Sequence, residues 1–267
     1  MMLWLNDYLN DLPLWVGYIA LPLIGIAAGF VNTLAGGGSF VTLPALMFLF
    51  GLDPQAANAT NRLSVLLQTG TGTFMFKKHG FTDIKLAFRL FIPAICGSTI
   101  GAAITEILPK DVFSLVFGAA MLGMAIMLMF KPKLLLATNR HPLSNKWSEL
   151  LIFFLIGIYG GFVQAGVGLL LLVALSLFHP NDLSKSNAVK VTIAFLLTFS
   201  PIIIFTLAGQ IVWAYGFLLA LGTVPGAIIG AKFAIKKGAT PIFYFIIVIA
   251  VLTSMKLIGT GISTMIA

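Results

Sequence analysis

Apolar stretches of about 20 residues recur along this chain from end to end, and each is long enough to cross a bilayer. Nothing constrains the fold more. A helix satisfies its own backbone in lipid, whereas an open strand does not. The runs are continuously apolar rather than alternating, which excludes a β-barrel. Of the 267 residues, 59% are hydrophobic and 9% charged. An ordinary soluble domain carries roughly 25% charged residues. The expected class is an all-α polytopic membrane protein with almost no soluble mass.

The net charge of +8 fits the basic cytoplasmic loops of membrane proteins, so no nucleic-acid partner is expected. The N-terminus carries Asp7 and Asp11 but no basic residue, which does not fit a cleaved signal peptide. The one cysteine, Cys96, lies in an apolar run and reads as a buried, inert thiol.

The chain repeats itself. "LIGIAAGFVNTLAGGG" (residues 23–38) matches "LIGIYGGFVQAGVG" (residues 155–168) with an offset of 132. After each glycine break come a short apolar run, a polar turn and a span opening with "NATNR" (58–62) or "NAVK" (187–190). Later come "FIPAICGSTIGAAI" (91–104) and "LGTVPGAIIGAKF" (221–233). The expected units are a first membrane repeat (1–130), a cytoplasmic connecting loop (131–147) and a second membrane repeat (148–267).

Basic residues set the orientation. Lys77, Lys78, Lys85 and Arg89, then Lys131, Lys133, Arg140 and Lys146, then Lys232, Lys236 and Lys237 mark three regions facing the cytoplasm. Between Lys146 and an outward turn near Gln210 the chain crosses an odd number of times. Residues 183–207 make one span. Residues 149–178 are too long for one upright helix and are cut by "VQAGVG", so they make a short or re-entrant pair. The same logic applied to residues 13–50 puts both termini outside. Each repeat then has about five segments, and the second runs opposite to the first. The expectation is two inverted-topology repeats with paired short or broken helices, eight to ten membrane segments in all.

Irregular backbone at membrane depth is tolerated only where it is buried in protein or lines a wet cavity, and paired broken helices point to a transport site. Asn32, Thr33, Gly36, Gly37, Gly38 and Ser39 form the first break; Gln164, Gly166 and Gly168 belong to the second. Helix N-termini at such breaks suit an anion. Intramembrane basic residues are functional by default, which adds Arg62 and Lys190, and with them the polar Thr60, Asn61 and Gln68. Ser64, Gln68 and Thr71 share one helical face. Glycines 97, 101, 226 and 230 read as helix-packing residues. Acids fall at span ends or in loops, and His79, His141 and His179 read as solvated. No metal-ligand spacing, phosphate loop or nucleophile set occurs, so no cofactor, metal or enzymatic activity is expected.

"GFVNTLAGGGSFVTLPAL", "GLDPQAANATNRL" and "FMFKKHGFTDIK", with "NAVKVTIAF", "LAGQIVW" and "VPGAIIGAKFAIKKG", resemble the TauE/SafE sulfite-exporter-like family over nearly the whole chain. The resemblance implies a bacterial inner-membrane permease, multi-pass, for a small sulfur-containing anion such as sulfite, thiosulfate or an organosulfonate. It carries Gly36, Gly37, Gly38, Thr60, Asn61, Arg62 (Lys in the usual pattern) and Lys190 over as motif positions. Val189 and Ala194 stand where the family often has Thr and Asn, and the second break is poorer in glycine than the first. The expected mechanism is alternating access, with an anion channel or an intramembrane accessory subunit as alternatives. Monomer and homodimer are not distinguished.

Overall fold

The computed structural model describes residues 14–81, 83–130, 143–180, 183–236, 251–259 and 262. Ten helices make up most of it: α1 (Leu14–Ala35), α2 (Ser39–Phe48), α3 (Pro54–Lys78), α4 (Ile84–Ile107), α5 (Lys110–Phe130), α6 (Lys146–Phe162), α7 (Val167–Phe178), α8 (Leu183–Leu197), α9 (Phe199–Leu207) and α10 (Trp213–Lys236). Residues 251–259 are helical too, and no strand occurs among the described residues. Both termini and most of the expected connecting loop lie outside the described residues.

Among the described residues, five stretches are long and apolar enough to cross a membrane: Gly17–Ala35, Ile84–Ile107, Lys110–Met127, Ser184–Leu207 and Trp213–Ala234. Helix α3 is absent from that set for a physical reason. Its 25 residues reach about 37 Å, but they include Asn58, Thr60, Asn61, Arg62, Ser64, Gln68 and Thr69, all buried. It packs against α10, α8 and α2, so protein surrounds what lipid could not solvate. Its start is well specified: Pro54 follows Asp53, whose carboxylate accepts from the Ala56 N–H at 2.9 Å.

The short helices come in pairs, as the glycine breaks require. In the first pair the chain runs down α1, turns at residues 36–38 and returns along α2, bringing Phe50 back beside Gly17. In the second it runs down α6, turns at residues 163–166 and returns along α7, bringing His179 back to Glu149. The open ends lie at opposite ends of the bundle. Glu149 bonds Arg89 in the first turns of α4, whereas the α1–α2 end lies with Tyr215 near the start of α10.

Glycine packs each long arm against the other half. Helix α1 lies along α10, and α6 along α4. A Cβ on Gly25 would sit 2.6 Å from the Leu219 carbonyl, and one on Gly29 2.2 Å from that of Thr223. On the other side, a Cβ on Gly157 would sit 2.1 Å from the Ala94 carbonyl, and one on Gly161 2.0 Å from that of Ser98. Gly97 and Gly101, and Gly226 opposite, return the contact from α4 and α10. Cys96 falls off this α4 face and is exposed rather than buried, because the buried stripe runs through its neighbours Ala94, Gly97 and Ser98.

The span expected over residues 183–207 is one run with a break at Thr198. Pro201 causes it, since proline cannot donate to the carbonyl four residues back. That carbonyl, Leu197 O, instead accepts from Ser98 Oγ at 3.0 Å.

Candidate functional site

The two breaks touch each other. A Cβ on Gly36 would lie 2.5 Å from both Cα and C of Gly168, and one on Gly168 2.5 Å from Gly36 Cα. Gly36 also has φ +81°, a conformation glycine adopts at no steric cost. These two glycines therefore let backbone cross backbone at the centre of the protein. Gly38 allows a second close approach, its Cβ position being 2.4 Å from Ala28 O. Gly37 is buried, and its carbonyl accepts from the Phe40 N–H.

Beside the crossing is a cavity of about 20 Å³ lined by Asn32, Gly36, Ser39, Val65, Thr69, Gln164, Val167, Gly168, Lys190, Val191, Ala194 and Thr198, roughly the room one water needs. Six of the residues expected from sequence meet here: Asn32, Gly36, Ser39, Gln164, Gly168 and Lys190. Helices α2 and α7 both begin at this level with no side-chain cap, on Gly38 and Gly166. The first N–H groups of a helix have no partner within it. Two positive helix ends therefore converge on one small space.

The opposite ends of the broken helices are neutralised across the molecule. Lys190 Nζ, on α8, donates to Thr33 O at 2.9 Å and Asn32 O at 3.3 Å, the final turn of α1. It also donates to Asn187 Oδ1 at 2.8 Å. Arg62, on α3, donates to Gly160 O at 2.5 Å and Gly161 O at 2.7 Å, the last turn of α6. Asn58 Oδ1 accepts from Arg62 at 3.4 Å, and Asn58 Nδ2 donates to Phe162 O at 2.8 Å. Each cation thus meets the negative end of a helix from the other half. Both are buried, at 0% and 1% exposure, so neither snorkels to the interface.

The other sequence-selected residues have local tasks. Asn61 holds α2 to α3, accepting from Thr42 Oγ1 at 2.7 Å and donating to Ser39 Oγ at 3.1 Å. Thr60 Oγ1 accepts from Val212 N just before α10. Thr33 donates back to Gly29 O, and Asn32 Oδ1 accepts from Gly38 N at 3.3 Å. None of Thr33, Gly37, Gly38, Thr60, Asn61, Arg62, Gln68 and Gly166 lines the cavity. Gln68 is buried with its Nε2 unpartnered. Gly166 is left-handed at φ +77°, with Phe40 and Met124 close above it. Gln164 holds φ +63°, and its buried Oε1 has no partner. A non-glycine residue in that region and an unpaired buried oxygen are both costly.

Sequence reasoning missed Thr69 and Thr198 at the cavity, Asn58 and Asn187 beside the cations, and Tyr159, whose hydroxyl donates to Ala165 O at 2.6 Å and fixes the second turn. The asparagines had a signal: they open the two matching spans, one helical turn before each cation. The threonines had one as well, as polar residues inside apolar spans, which read equally as interhelical bonding or as pathway lining; Tyr159 had none.

The family described as Sulfite exporter TauE/SafE matches residues 21–257. The chain belongs to that family. Among its relatives is a "Probable membrane transporter protein" of Haemophilus influenzae, 26% identical over 88% of this chain and 92% of that one. Two others are the "Probable membrane transporter protein YfcA" of Escherichia coli, 26% identical over 92% of this chain and 90% of its own, and YunE of Bacillus subtilis, 26% identical over 92% and 99%. No solved structure matches. The chain is thus a multi-pass membrane protein of a transporter family, through both hairpins and both cations.

Proposed function

We propose that this TauE/SafE protein carries a small sulfur-containing anion of the sulfite, thiosulfate or organosulfonate class. The ion binds where the two breaks cross, by alternating access in the bacterial inner membrane. One observation carries the reading. Arg62 and Lys190 neutralise the carbonyl ends of α6 and α1, and the amide ends of α2 and α7, neither of which has a side-chain cap, are at the cavity. A helix N-terminus favours an anion. Ser39, Thr69 and Thr198 add hydroxyls that suit an oxyanion, and no carboxylate lines the cavity to repel one. The substrate class rests on the family's name.

The halves act as inverted repeats in this reading. The packing supports it: the step of 132 residues that takes Gly25 and Gly29 to Gly157 and Gly161 is matched by a step of 125 from their partners Ala94 and Ser98 to Leu219 and Thr223. Two such units can rock about a fixed site. At about 20 Å³ the cavity has room for a water but not for an oxyanion, so this is a closed state. One hairpin has to move to admit the ion.

The test is sulfite uptake by the purified protein in proteoliposomes. A carrier gives saturable uptake and counterflow stimulated by sulfite inside. Flux without counterflow identifies a channel, and no flux overturns the reading.

A further inference from the structure

The two hairpins close at opposite ends of the bundle, and the closures differ chemically. At the open end of α6–α7, Glu149 is buried, its side chain 6% exposed. Both its oxygens accept from Arg89 Nη2 on α4, at 2.8 and 2.7 Å. His179, which ends α7, also bonds Glu149 Oε1 through Nε2, and the same nitrogen lies 3.2 Å from Arg89 Nη2. At the open end of α1–α2 no such cluster occurs among the described residues. The step from Gly25 to Gly157 takes Gly17 to Glu149, and Gly17 faces Phe50. Phe50 in turn packs on Tyr215 of α10 with ring centroids 5.0 Å apart. The Asp53–Lys110 pair is near this end but joins α3 to α5, not the hairpin to α10.

We propose that Glu149, His179 and Arg89 form a proton-binding latch that holds the α6–α7 hairpin against α4, and that the Gly17–Phe50–Tyr215 closure opposite is indifferent to pH. The inference rests on the alternating-access reading. Its sign follows from counting charge on the moving part. With His179 neutral, the cluster on the hairpin carries one negative charge, which Arg89 attracts. When His179 takes a proton the cluster is neutral, and the new cation faces Arg89. Acidification therefore loosens the latch. Other charged residues on the elements packed here are Asp83 and Lys85 at the start of α4, Lys146 on α6 and Lys185 on α8; Asp182 and His141 lie outside the described residues. Histidine is the side chain whose charge changes between about pH 5 and 8. The cavity supplies no carboxylate, so this cluster gives the carrier a place to bind a proton.

The experiment reads opening without using a substrate. In a Cys96→Ser background, Thr198→Cys places a thiol at the cavity. Its reaction with a small, membrane-impermeant methanethiosulfonate is timed in inside-out and right-side-out vesicles from pH 8 to pH 5. Each rate is divided by that of free cysteine at the same pH. The latch predicts a rise of about fivefold on acidification, the upper range for a partly exposed ion pair, in one vesicle orientation only. His179→Gln gives a slow, pH-flat rate, and Glu149→Gln one that is already fast at pH 8. Equal pH profiles in His179→Gln and its parent, a rise on alkalinisation, or the same rise in both orientations overturns the latch and leaves the carrier standing. A thiol unreactive from either side in every variant overturns both.

Discussion

Arg62 and Lys190 have the same task at different depths. Arg62 reaches Gly160 and Gly161 and lies beneath the Phe205 ring, 5.4 Å from its centroid, away from the cavity. Lys190 reaches Asn32 and Thr33 and forms part of the cavity wall. A planar fork suits two successive carbonyls; a compact ammonium suits a crowded site beside an ion. The difference teaches that two cations at matching places in the sequence need not do the same thing: Arg62 is bound away from the cavity and Lys190 borders it.

The first way to break the comparison is at the crossing that both halves share. Gly36→Ala adds backbone strain and a clash, and its expected cost is roughly 2–6 kcal/mol. Gly168→Ala meets the same clash without a left-handed φ, for roughly 1–3 kcal/mol. Denaturation of the purified proteins in detergent checks the order, and a milder Gly36→Ala contradicts it.

Next come the cations. Arg62→Met leaves two buried carbonyls unpaired, at about 1–3 kcal/mol each. Lys190→Met has weaker bonds to lose but removes a cavity wall. Arg62→Met should therefore lower the melting temperature more, and Lys190→Met should reduce sulfite flux more per folded molecule. Arg62→Lys keeps the charge but loses the fork, and should recover less than half of the lost stability. Equal losses of stability and of flux in the two methionine variants would erase the distinction.

A smaller effect separates the helices that carry the cations. Helix α3 has no internal proline, whereas the α8–α9 run is broken before Pro201 and relies on Ser98. Ser98→Ala should cost about 1–2 kcal/mol, and less when Pro201→Ala has restored an N–H for Leu197 O. A double-mutant cycle measures the coupling.

The smallest effect is at the outer end of α3. Burial raises the Asp53 carboxyl, but the Ala56 N–H and Lys110 outweigh it and hold it below the usual carboxylate range. A depressed carboxyl contributes stability that is present above its unfolded value, about 3.9, and is lost as pH falls through the lower folded value. Asp53→Asn should remove a slight acid sensitivity below about pH 4, visible in a melting-temperature profile against pH.

Much of this was legible in the sequence because lipid forbids alternatives. The apolar runs, the two breaks and the basic residues at 62 and 190 all stand out in the sequence, and the breaks do meet. Pairwise geometry was not legible. Arg62 and Lys190 read as ligands for an anion, because nothing in a linear pattern reveals a carbonyl end 98 or 157 residues away. Gly36 and Gly168 read as ligands or turn formers, but their closest neighbours are each other. Glu149 and His179 read as an uninformative acid and a solvated histidine. They bond each other, Glu149 buried and His179 half-buried, because the hairpin brings position 179 back to position 149.

The central claim is that an anion binds between the two amide ends, with Lys190 at its wall. It is tested most directly by melting the purified protein against increasing sulfite, wild type beside Lys190→Met, with chloride as control. Binding to the native state raises the melting temperature with concentration. The account predicts a rise with sulfite but not chloride in the wild type, and a flat profile in Lys190→Met. Indistinguishable profiles for the two proteins, or equal shifts with both salts, would contradict it.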